Sequence, residues 1–315
     1  MSLAPIALFA YNRPRHLAQT LEALKTCPLA SSSELHVFSD GSRHIADRRA
    51  LEQVRGLIRA IEGFARVYIH EQTQNLGLSR SIIEGVTVLS KNYGRVIVLE
   101  DDIVVSPGFL SFMNQALSHF QDEPRVMQIS GYMFPIETPE TLGSTVLCRV
   151  PASWGWGTWE RAWRFLESDS SKLLRILKDE RSRYEFNLRD TYPYVDQLRA
   201  LAAETLDVWG VRWYASMFAQ RGLCLYPTQS LAQNIGMDGS GAHCGFSPAY
   251  DVQLSKHESW RFPGRIEESE ETLTQIREFL LRVSAPNNDR LVKSVLERAW
   301  SGVRKLKRLA KSPLI

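Results

Sequence analysis

The chain lacks the short motifs on which several large enzyme classes depend. No G-x-G-x-x-G follows its first apolar run, and no G-K-[ST], G-x-S-x-G or H-E-x-x-H occurs anywhere in its 315 residues. Those absences remove the main support for dinucleotide-dependent oxidation, P-loop chemistry and serine or zinc hydrolysis. Cysteine is scarce: Cys27, Cys148, Cys224 and Cys244 are scattered without a C-x-x-C pair. Neither a zinc site nor a disulfide framework is expected, and reduced thiols suit a cytosolic setting. No apolar stretch reaches the roughly 18 residues of a membrane span. The run from Leu3 to Ala10 has no basic residue before it, so a cytoplasmic location is expected. Internal repeats and low-complexity tracts are also missing.

With 44% hydrophobic residues the chain can bury a large core. Its formal charge of +3 is unevenly placed, because the stretch from Arg290 to Lys311 holds eight basic residues against Glu297 alone. The remainder is weakly acidic, which argues against a nucleic-acid-binding core. The tail places Val292, Leu296, Val303 and Leu306 at helical spacing between Lys and Arg. That pattern suits either a packing helix or peripheral contact of residues 290–315 with anionic lipid on the inner face of the cytoplasmic membrane.

Short β-branched runs alternate with helical periodicity over the first 130 residues, the pattern of an α/β fold with a mostly parallel, Rossmann-like sheet flanked by helices. Strands are predicted at Pro5 to Ala10, Leu35 to Phe38, Val67 to His70 and Val96 to Leu99. Helices are predicted at Arg15 to Leu24, Leu51 to Ile61 and Leu78 to Leu89, with another from Ser106-Pro107 to about His119. Further helical segments are expected from Ser170 to Arg183 and from Glu268 to Leu281. Parallel sheets bind ligands beyond the carboxyl ends of their strands. Asn12-Arg13, Asp40, His70-Glu71 and Glu100-Asp101-Asp102 should therefore meet in one crevice. The divisions expected are 1–130 for the α/β half, 131–262 for an aromatic and Gly-rich half, and 263–315 for a helical, basic tail.

Glu100-Asp101-Asp102 is the most informative element. Three adjacent carboxylates at a strand tip repel one another unless a cation or several donors neutralise them. Mn²⁺ or Mg²⁺ would suit, with Asp102 as direct ligand and Glu100 and Asp101 in supporting contacts; a capping cluster is the competing reading. Arg13 could pair with a phosphate through its planar fork, or could be an exposed turn residue. Asp40 could accept from a nucleoside, and Asp-Gly is equally an ordinary turn. Arg80, opening a helix after Asn75-Leu76-Gly77, is a secondary ligand candidate. In Ser153-Trp154-Gly155-Trp156-Gly157, Trp154 and Trp156 could stack on a sugar acceptor, or could form a buried aromatic core. Asp207 lies among apolar neighbours, where desolvation would suit a general base; an ion pair with Arg212 competes. His243, in a Gly-rich segment, could close over a ligand, or could be a solvent-exposed loop residue.

Taken together, Leu8-Phe9-Ala10-Tyr11-Asn12-Arg13, Val37-Phe38-Ser39-Asp40, Val98-Leu99-Glu100-Asp101-Asp102, Asp207 and His243 resemble the GT-A glycosyltransferases, among them bacterial relatives of N-acetylglucosaminyltransferase I. The resemblance covers about 240 residues, and E-D-D is its most specific part. It implies a hexosyl- or N-acetylhexosaminyltransferase that moves a sugar from a nucleotide-sugar, a UDP-sugar by the family's habit, to a hydroxyl of a glycan or lipid-linked glycan, with inversion. In that family the last Asp of E-D-D holds the metal, which falls on Asp102, and the base falls on Asp207. Asp40 and Arg13 would contact the nucleotide and His243 the closing loop. A sugar nucleotidyltransferase and a non-catalytic sugar-binding module are the alternatives.

Overall fold

A computed structural model describes residues 2–137, 143–240 and 247–284. His243 and the basic tail at 290–315, each given a role by the sequence, lie outside the described residues.

Strands form where β-branched and aromatic runs can be covered on both faces. β1 (Ile6–Ala10) is buried at every position. β2 (Glu34–Ser39), β3 (Arg66–Glu71) and β4 (Arg95–Glu100) run parallel to it in the order β3-β2-β1-β4. Helices α1 (Pro14–Lys25), α2 (Arg48–Arg59) and α3 (Leu78–Tyr93) connect them. α1 starts on Pro14, whose missing N–H costs nothing in a first turn, and turns Leu17, Leu21 and Leu24 inward. α3 packs closely because position 85 is glycine: a Cβ there would stand 2.7 Å from the Phe9 ring.

Beyond β4 the sheet becomes mixed. β5 (Ile103–Val105) leaves it to pair with β10 (Ala232–Asn234). β6 (Val126–Ser130), β7 (Thr145–Cys148), β8 (Trp156–Trp159) and β9 (Leu223–Pro227) complete eight strands in the order β3-β2-β1-β4-β8-β6-β9-β7. Four of the seven pairings are parallel, so the expected α/β class with a mostly parallel sheet and flanking helices is met.

Three local expectations are corrected. Ser106-Pro107 does not open the next helix; α4 (Phe109–His119) starts after Gly108, and the Phe109 amide donates to the Ser106 carbonyl as part of a turn. Ser170 to Arg183 is two helices, α6 (Ser170–Ile176) and α7 (Glu180–Phe186), after the short α5 (Glu160–Trp163). Asp169 and Asp179 each cap one of them, at 2.9 Å to the Ser171 amide and 2.8 Å to the Ser182 amide. Those local bonds compete with a continuous helix.

The third correction concerns the tryptophans. Trp156 lies in β8, between β4 and β6, and is 0% exposed. It stacks on Trp209 at 5.0 Å, and Trp163 packs on Trp213 at 4.9 Å. Gly157 serves this packing, since a Cβ there would stand 2.9 Å from Met113 and 3.0 Å from the Val96 carbonyl. Trp156 therefore belongs to the core and offers no face to an acceptor. The remaining helices are α8 (Tyr194–Ala202), α9 (Gly210–Ala219) and α10 (Glu270–Ser284). Among the described residues, no helix is long and apolar enough to cross a membrane.

Candidate functional site

The carboxyl ends of β1 and β4 are neighbours because these strands pair in parallel, Phe9 opposite Glu100. Arg13 follows β1, and the acidic trio follows β4. Asp102 and Arg13 form an ion pair, Oδ2 to Nη1 at 2.9 Å. The bond leaves a remainder: Asp102 Oδ1, Arg13 Nε and Arg13 Nη2 are buried without a hydrogen-bond partner among the described residues. An orphan acceptor beside two orphan donors is costly unless a ligand satisfies both signs.

Each flanking acid has a different setting. Asp101 Oδ2 accepts from the Tyr11 amide at 3.0 Å, and its carbonyl accepts from Thr20 at 2.9 Å. Burial, followed by the neighbouring Asp102 charge, pushes the Asp101 carboxyl up to about 7. Glu100 is also pushed well above the carboxylate range by burial and then by Asp102 and Asp101. For Asp102 burial raises the value and the Arg13 charge opposes it. The trio is thus under-neutralised by protein groups alone.

Asp102 Oδ1 meets a basic requirement for holding Mn²⁺ or Mg²⁺, being a buried oxygen donor with no other partner. No group of three His, Cys, Asp or Glu side chains converges among the described residues. A cation here would complete its shell from phosphate oxygens and water, the usual habit of these ions.

The segment after β10 covers the pair. The Ile235 amide donates to the Asp102 carbonyl at 2.9 Å, and a Cβ at Gly236 would overlap Asp102 Oδ2 and Arg13 Nη2. Further along, Asp238 pairs with His16 of α1 at 3.1 Å. Gly236 and His16 carry no signal in the sequence, because only the fold brings them to the trio.

Asp40 is beside the crevice but differently employed. Its carboxylate accepts from the Gly41, Leu76 and Gly77 amides at 2.8, 2.8 and 2.9 Å, and from Asn75 Nδ2 at 2.9 Å. Four bonds fill a carboxylate's accepting capacity, so Asp40 organises the turn at 75–77 rather than offering an oxygen to a nucleoside. Arg80 points away, 64% exposed and paired with Glu84 at 2.6 Å. Glu71, expected in the crevice, pairs with Arg55 and Arg59, and His70 stacks on Phe38.

The turn that Asp40 holds leads to Asp207: a Cβ on Gly77 would stand 3.8 Å from Asp207 Oδ2. Asp207 is exposed, and no ion pair engages it among the described residues; Arg212 bonds Ser170 instead. The desolvation expected at Asp207 is therefore absent. Asp207 and Glu100 open into the same pocket of about 340 Å³, between the α3 start, residues 151–153, α8 and α9. Trp209, Trp213 and Tyr194 line it. Trp154 does not; it is wedged edge-on between Tyr132 and Tyr250 at 4.5 and 5.6 Å. A larger open depression of about 900 Å³ near Asp179, Arg183 and Arg199 has no strand end in its wall.

The crevice is thus two adjoining compartments. One combines buried charges of both signs, and the other is an aromatic pocket with a free carboxylate at its mouth. No protein-family model matches the chain, and no curated protein does. Among solved structures, the mannosyltransferase PcManGT from Pyrobaculum calidifontis, in complex with GDP-mannose and Mn²⁺, aligns with 70% of this chain and 69% of its own length. Its identity is 9% and its TM-score 0.36. TarS of S. aureus aligns with 52% of this chain, which spans 29% of TarS, at 13% identity and a TM-score of 0.32. Overlap at this level defines no activity.

Proposed function

We propose that the chain is a metal-dependent glycosyltransferase of GT-A type, moving a sugar from a nucleoside-diphosphate donor, a UDP-sugar as first choice, to a glycan hydroxyl with inversion. The observation that carries this reading is the set of orphaned charges: Asp102 Oδ1 wants a cation, and Arg13 Nε and Nη2 want anionic oxygens. A metal-bound diphosphate supplies both at once.

Arg13 would hold phosphate oxygens through its unpartnered Nε and Nη2, and Asp102 would hold the cation through its unpartnered Oδ1. Asp101, tied to the Tyr11 amide, fixes the corner on which Asp102 turns. When bound, Mn²⁺ or Mg²⁺ would act as a Lewis acid for the departing diphosphate. Asp207 accepts the acceptor's hydroxyl proton as that oxygen bonds to the anomeric carbon and the bond to diphosphate oxygen breaks. Its exposure at the pocket mouth leaves it accessible for that role. His243 remains a proposed element of the closing loop.

Nucleotide binding and turnover measured separately test the reading. Asp102→Ala should abolish Mn²⁺-dependent binding of UDP or GDP by calorimetry. Asp207→Asn should leave it intact and lower transfer by about 10²–10⁴-fold, the usual worth of a general base. Normal transfer by both variants overturns the assignment.

A further inference from the structure

Among the described residues, none that lines the 340 Å³ pocket beside Asp207 carries a positive charge. Its lining is apolar or aromatic over most of its wall, through Leu78, Pro151, Leu206, Val208 and Trp209. Its polar members are mostly committed elsewhere. Gln128 donates to the Ala152 carbonyl at 2.7 Å and accepts from Trp213 Nε1 at 2.7 Å. Gln197 donates to the Tyr192 hydroxyl at 3.3 Å, and the Tyr214 hydroxyl donates to the Phe186 carbonyl at 3.1 Å. The acidic groups are Glu100 and Asp207, and neither Lys, Arg nor His lines the pocket among the described residues.

We infer that this pocket takes an uncharged sugar unit, presenting a hydroxyl to Asp207, and rejects acidic sugars such as uronates and sugar phosphates. The inference rests on the glycosyltransferase reading for the reaction, but binding in the pocket is measurable without it. Three physical points lead there. An anion brought against the Asp207 carboxylate finds no Lys, Arg or His among the described residues of the pocket wall to offset the repulsion. Aromatic and aliphatic walls suit the C–H faces of a neutral ring, whereas a carboxylate would lose hydration and gain no donor. The volume sits at the lower end of the roughly 300–1,000 Å³ range for small-molecule pockets, which fits one terminal unit rather than a length of polymer.

The test uses the full chain at pH 7.5 with Mn²⁺ and UDP present. Three probe families are compared: methyl hexopyranosides, the matching methyl hexuronides, and the hexuronide methyl esters. Binding is read by tryptophan fluorescence, for which Trp209 and Trp213 are placed in the pocket wall, and by ligand-observed NMR. At least one neutral hexoside is expected to bind, its uronide at least 10-fold more weakly, and the ester to recover neutral-level affinity, which separates charge from shape. Gln197→Arg, or Leu206→Lys should that variant not fold, is expected to reverse the order in favour of the uronide. Equal binding of free uronide and ester overturns the inference, as does failure of every neutral hexoside to bind. Nucleotide binding measured in the same samples reports on the donor site, so the glycosyltransferase reading can stand while this one falls.

Discussion

Gly236 lies so close to the Asp102 carboxylate that a methyl group on its Cα would overlap Oδ2, and the same methyl would strike the Arg13 guanidinium. Glycine is thus required for the cover to approach the charged pair. Gly236→Ala should displace the cover or separate the pair. The expected outcome is at least 10-fold weaker Mn²⁺-dependent UDP binding by calorimetry. Unchanged affinity would show that the cover does not bound the ligand site.

Asp40 gives a prediction of a different kind, because its four hydrogen bonds make it a structural residue. Asp40→Ala leaves the Leu76 and Gly77 amides without their acceptor and should cost about 3 kcal/mol in urea unfolding. Asp40→Asn should also destabilise, since its NH₂ would face donors. A direct nucleoside contact would predict the reverse, lost ligand affinity at unchanged stability.

Trp156→Ala removes the largest buried side chain of the β8 layer. A loss of about 3–5 kcal/mol is expected, as for buried aromatic truncations generally. Trp154→Ala, at an edge-packed and partly buried site, should cost less. Thermal unfolding of the two variants checks the ranking.

The imidazole of His36 is buried on β2, against His70 at 3.3 Å and Tyr68 and Tyr93. Burial, and then His70, lowers it from 6.5 to about 4, with Glu34 opposing. Between those values the unfolded chain binds the proton and the folded one does not, so stability is complete above about pH 6.5 and declines as pH falls toward 4. His36→Gln should lose less melting temperature than the parent between pH 7.5 and 5. A parallel decline in both proteins counts against His36 as a source.

The parallel half of the fold was legible because β1 and β4 are apolar runs closed by a polar tip and helical periodicity separates the strands, whose ends fall within one residue of the expected positions. The acidic trio and Arg13 were found the same way, and they do meet. The tryptophan segment misled because Trp-Gly-Trp-Gly reads as a ligand-facing loop, yet the glycines are sites where helix α4 and β4 press on β8. Asp40 kept its position and changed its role, since its partners at 75–77 lie more than thirty residues away in sequence. Gly236 carried no local signal at all; its importance arises only from chain segments folded against it.

The acidic corner and its cover are parts of one ribbon. β5 and β10 pair from Asn234 opposite Ile103 to Ala232 opposite Val105, and the Ile235 to Asp102 bond extends that ladder to the corner itself. A cover stitched to the floor in this way is no hinged door. Arg13, just before the first helix, and His16, within it, flank the corner, and the rate of ligand entry should follow the side-chain motion of those two residues rather than a swing of this ribbon.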